Sequence, residues 1–141
     1  MTPISFNVQY CDDMIIHADP NKYSLIGVYN DIYPIPAPKV IIGKLAFVAA
    51  FALSLQQIKE LANQPLQMEV LLNGELLSAI EAPPVDIEQL PQQNTPESFT
   101  FMFNQTINGF QVEHEQKVHV CLKAGNTVLA ESRHMTFVST S

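Results

Sequence analysis

The chain has 141 residues, a length that folds as one domain (1–141) around one core and needs neither a disulfide nor a metal to hold it together. Apolar residues make up 47% and charged residues only 15%, with 14 Asp and Glu against 7 Lys and Arg for a net charge of −7. Such a surface is neutral in part, or covered by a partner in part, and it repels phosphate backbones and anionic lipid; nucleic acid and membranes are therefore not expected as partners.

The opening residues, Met1 to Phe6, have neither the basic start nor the apolar run of a signal peptide, which places the expected location in the cytoplasm. In that reducing setting Cys11 and Cys121, both in apolar strand-like contexts, are expected as unpaired, buried thiols. Phe6 to Cys11 alternates with period two and reads as a strand, which Asp12-Asp13 would end in a turn. Asp19-Pro20-Asn21 is a turn signal, Tyr23 to Tyr29 a second strand, and Asn30-Asp31 a tight hairpin into Ile32-Tyr33. Pro34, Pro36 and Pro38 then impose an extended, exposed connection.

Lys39 to Leu53 is the most apolar stretch, too short for a comfortable membrane span. Its odd positions Ile41, Leu45, Phe47, Phe51 and Leu53 are large and its even positions Ala46, Ala50 and Ala52 small, which fits a strand with its large face on the core; a helix stays open on composition. Ser54 caps a short helix near 54–63, with Leu55, Ile58, Leu61 and Ala62 on one face and Pro65 stopping it. Leu66 to Leu72 and Glu75 to Ile80 flank Asn73-Gly74, the strongest short hairpin signal in the chain. Ala82 to Pro96, with four prolines and no period, reads as a long surface loop. Phe99, Phe101 and Phe103 alternate, Asn108-Gly109 is a turn or bulge, and Val118, Val120 and Leu122 alternate again. Gly125-Asn126 turns the chain into a closing strand over Val128 to Val138, whose apolar end reads as a poorly defended sheet edge. The sum is an all-β fold, an antiparallel β-sandwich of about seven to nine strands with one short helix.

Cys11-Asp12-Asp13, followed by Lys22-Tyr23-Ser24-Leu25-Ile26-Gly27-Val28-Tyr29, resembles the signature of a family of short bacterial proteins of unknown function. The resemblance implies a bacterial origin and makes Cys11, Asp12, Asp13, Gly27 and Tyr29 a structural signature. Family members often carry an Arg shortly after the two aspartates, where this chain has Met14-Ile15-Ile16-His17.

Chemistry would need a constellation. Cys11, Asp12, Asp13 and His17, joined in space by His119 and Cys121, hold zinc-type ligand chemistry but lack any zinc-motif spacing. Cys11 or Cys121 with His17, His114, His119 or His134 would need a triad geometry that sequence does not define. Glu113 and Glu115 around His114 read as a solvated strand end, and the isolated glycines cradle no phosphate. No catalytic residue, metal or cofactor is therefore assigned. Tyr29, Tyr33, Pro34, Ile35 and Pro36 form a neutral, rigid strip that reads as a protein contact surface. The expected function is a non-catalytic interaction or assembly module, self-associating or docking a protein partner. The alternative is a small metal- or thiol-dependent enzyme centred on Cys11-Asp12-Asp13.

Overall fold

The computed structural model describes residues 2–19, 22–61, 64–82 and 98–141, and among them the period-two segments form two sheets. In the first, β2 (Tyr23–Tyr29), β1 (Ser5–Ile16), β4 (Lys39–Ser54) and β7 (Ser98–Glu113) lie side by side in that order, all antiparallel. In the second the order is β3 (Ile32–Ile35), β10 (Met135–Ser139), β8 (Lys117–Ala124), β5 (Leu66–Leu72) and β6 (Glu75–Ala82), with β9 (Thr127–Glu131) also on β8. Apolar inner faces meet between the sheets: Tyr10, Leu45, Phe47, Phe51 and Leu53 from one, Met68, Val70, Val120, Leu122 and Phe137 from the other. The fold is thus an all-β sandwich, with ten strands among the described residues rather than seven to nine. No helix among them is long and apolar enough to cross a membrane.

One pair breaks the expected antiparallel rule, because β3 runs parallel to β10, with Thr136 opposite Ile32 and Ser139 opposite Ile35. Asn30-Asp31 therefore closes no hairpin; it carries the chain from the edge of one sheet to the edge of the other. The closing segment is likewise two strands, and β10 lies between β3 and β8, so its apolar end is no free edge: Met135 and Phe137 are fully buried. Asp12-Asp13 does not end β1 either, since the strand runs on to Ile16 against β2.

Along β4 the large odd face holds for Leu45, Phe47, Phe51 and Leu53 but fails for Ile41, which is 73% exposed while Ile42 is buried. Gly43 and Gly109 fall between the Ile42–Phe110 and Lys44–Asn108 pairs of β4 and β7, and Gly109 has φ of 66°. Both strands change sides there together, with the register unbroken, so a strict alternation carried through the glycine misplaces Ile41.

The short helix is α1 (Leu55–Glu60), started by a reciprocal capping box in which Ser54 Oγ accepts from Gln57 N–H and Gln57 Oε1 accepts from Ser54 N–H. Its Ile58 and the following Leu61 are buried against the core; Ala62 and Asn63 lie outside the described residues. The loop expected over Ala82 to Pro96 lies outside them also, beyond Ala82 itself. At the other predicted hairpin Asn73 and Gly74 have φ of 50° and 83°, the two positive values of a type I′ turn. A Cβ at Gly74 meets open space, so Gly74→Val tests backbone strain alone. It should cost about 1–2 kcal/mol in chemical denaturation, and an unchanged midpoint removes that strain from the account.

Candidate functional site

The Tyr29–Ile32 crossover is held by its neighbours on both sides. Thr136 N–H donates to Asp31 O at 2.8 Å, continuing the β3–β10 ladder into the connection. Pro34 and Pro36 are exposed on this edge, where a missing N–H costs no ladder bond. Between Ile32 and Pro34 the Tyr33 ring is stacked on Tyr29, centroids 4.4 Å apart, and tilted onto the buried Phe137 at 5.2 Å.

Arg133 fixes the crossover from the opposite flank. Its guanidinium donates to the carbonyls of Asn30 and Tyr29, pairs with Asp31 at 3.2 Å, and sits 5.1 Å from the centroid of the Tyr10 ring. Tyr10 in turn donates its O–H to Arg133 O at 2.9 Å. Burial pushes the Tyr10 phenol up, so it stays protonated and keeps that role. The result is an open groove of about 520 Å³ lined by Val28, Tyr29, Asn30, Asp31, Ile32 and Pro34.

Of the strip expected from sequence, Tyr29 and Tyr33 are half-buried in their mutual stack, and Pro34 and Pro36 are exposed. Ile35 is fully buried and belongs to the core, not to a contact surface. Val28, at 49% exposure, and Ile32, at 57%, flank the groove and were not singled out by sequence, nor was Arg133. Reading Tyr23 to Tyr29 as a strand does not say that β2 is an edge strand, which is what leaves Val28 and Ile26 exposed.

Three of the signature residues, Asp12, Gly27 and Tyr29, meet beside this groove. Asp12 lies over Gly27, which has φ of 67°, and accepts a hydrogen bond from the Tyr29 O–H. Burial, then the bond to Asp12, holds the Tyr29 phenol far above its ordinary value. Asp13 faces Lys44 at 3.0 Å and accepts from Met14 N–H at 2.8 Å; these contacts hold its carboxyl below the usual range.

The alternative constellation is scattered. Cys11 lies on β1 and Cys121 and His119 on β8, in different sheets, while His17 bonds Ser24 at the β1–β2 tip, 2.7 Å away. Burial pushes both thiols up, which disfavours the thiolate that a nucleophile or ligand requires. Among the described residues no group of three His, Cys, Asp or Glu is disposed to hold a metal ion. The site therefore stands on its own geometry, because the sequence matches no family model and no curated protein.

Proposed function

We propose that this domain is a non-catalytic protein-interaction module that docks its partner at the β2–β3 crossover. The observation that carries the reading is the groove: a backbone fixed by Arg133, with Val28 and Ile32 each about half exposed along its wall. An apolar wall on a pre-set backbone loses little entropy on binding and gains area removed from water. The net charge of −7 and the absence of a basic run favour a protein over nucleic acid or anionic lipid.

The test is Ile32→Lys, which places a charge on the wall without touching the core. Capture by tagged protein from the native host, and sedimentation equilibrium for self-association, should both be read against the wild type. Binding at least about tenfold weaker with an unchanged melting temperature is the expected result, the loss of one desolvated apolar contact. Association that survives Ile32→Lys and Val28→Lys together places the interface elsewhere.

A further inference from the structure

β9 and β10 occupy the same edge of β8, β9 on Cys121–Ala124 and β10 on Lys117–Val118, and Ser132, Arg133 and His134 bridge the gap between them. Ser132 repairs the ladder there: its N–H donates to Val120 O at 2.8 Å, and its Oγ accepts the Val120 N–H at 2.8 Å. Arg133 reaches across to the crossover, as described. His134 lies flat on His119 of β8, with ring centroids 4.4 Å apart and planes within 9°.

The His119 side chain is only 12% exposed, and Glu131 Oε1 is 3.8 Å from its Nε2. A ligating imidazole holds a metal ion in its own ring plane, so two parallel rings do not converge on one ion. Protons are the species to which this stack responds. One proton is accommodated, because an imidazolium stacks on a neutral ring and Glu131 offsets its charge. A second puts like charges face to face, one of them on the largely buried His119 ring.

We propose that the His119–His134 stack is an acid-sensitive catch, in which the second proton parts the rings, displaces the Ser132–His134 bridge and loosens the hold of Arg133 on the β2–β3 crossover. This concerns the shape of the groove and does not rest on any partner binding there. The groups around the pair are Glu131 from β9, Arg133 from the bridge, Lys117 and Cys121 on the same face of β8, and, farther along that face, Glu69 of β5 with its ion-pair partner Lys123 of β8. β5 places the uncharged Leu71 opposite His119, and β10 begins with Met135 and Thr136, which do not titrate.

Burial, then His134, holds His119 below the ordinary imidazole value of 6.5. The unfolded chain therefore binds its proton at higher pH than the native state does. This contribution to stability is fully present above about pH 6.5 and is lost as pH falls through the native value.

Amide hydrogen exchange, expressed as protection factors at about pH 7.5 and about pH 5, tests the catch in the whole chain. The Thr136 amide, which donates to Asp31 O, reports the crossover, and the Val70 amide in β5 reports the core. In the wild type Thr136 should lose about tenfold more protection than Val70 on acidification. His134→Gln, at an exposed position, should fold normally and abolish that difference, and the His119 ring should titrate closer to 6.5 once its neighbour is gone. His114 supplies the control, since its Nδ1 accepts the Ser139 N–H at 2.9 Å and is a second imidazole contact of β10. Equal protection at both pH values overturns the proposal, as does a loss that persists in His134→Gln or vanishes in His114→Gln instead.

Discussion

Gly27→Ala is expected to destabilise the domain by about 2–4 kcal/mol, lowering its melting temperature by about 6–12 °C. Two costs combine. Gly27 has φ of 67°, in the left-handed region that costs an L-residue about 1–2 kcal/mol. A Cβ added there would also stand 2.2 Å from Asp12 Oδ2 and 2.8 Å from its Cγ, so the aspartate must swing away and abandon the Tyr29 hydroxyl. The double-mutant cycle separates the two, because in an Asp12→Ala background only the backbone cost of about 1–2 kcal/mol remains. If Gly27→Ala costs the same in both backgrounds, Asp12 is not what fills the space over that glycine.

Phe137→Ala should cost about 3–5 kcal/mol, the range for emptying a fully packed aromatic site. The ring is fully buried on β10, edge-on to Phe110 at 6.4 Å and beneath Tyr33 at 5.2 Å. Its loss therefore opens a cavity and also removes the floor under the Tyr29–Tyr33 stack that shapes the groove. Phe137→Leu, which keeps most of the volume, should cost about 1–2 kcal/mol. Urea midpoints at constant slope measure both, and a loss under about 1 kcal/mol for the alanine variant would show that the core collapses to fill the site.

What could be read in the sequence was local. Asn73-Gly74 announces a turn because its two backbone conformations are ones few other residues accept, and Ser54 announces a helix start because its hydroxyl can satisfy a free amide of the first turn. The large face of β4 was legible from Leu45 onward for the same reason, as a contest between neighbours in the chain. The candidate site was legible only as a neutral strip. Its making depends on partners far away in sequence: Arg133 meets Asn30 across 103 residues, and β3 finds a parallel partner in β10. Nothing in Asn30-Asp31 distinguishes a two-residue hairpin from a passage between sheets, because the choice is made by which strand offers the free ladder. Likewise the scatter of cysteines and histidines could not be resolved until the two sheets had assigned each to a side.

The parallel pairing of β3 with β10 has a consequence for the order in which the molecule is assembled. β1, β2 and β4 are all synthesised within the first 54 residues, and β1 pairs directly with each of the other two. β3 is made among them but has no ladder to join until residues 136–139 have emerged from the ribosome. During synthesis, at about 5–20 residues per second, that interval lasts on the order of 5–20 s. Throughout it Ile35 and the backbone of β3 stand open as an unfilled template, so the nascent chain is exposed to mispairing at the very edge that later carries the groove.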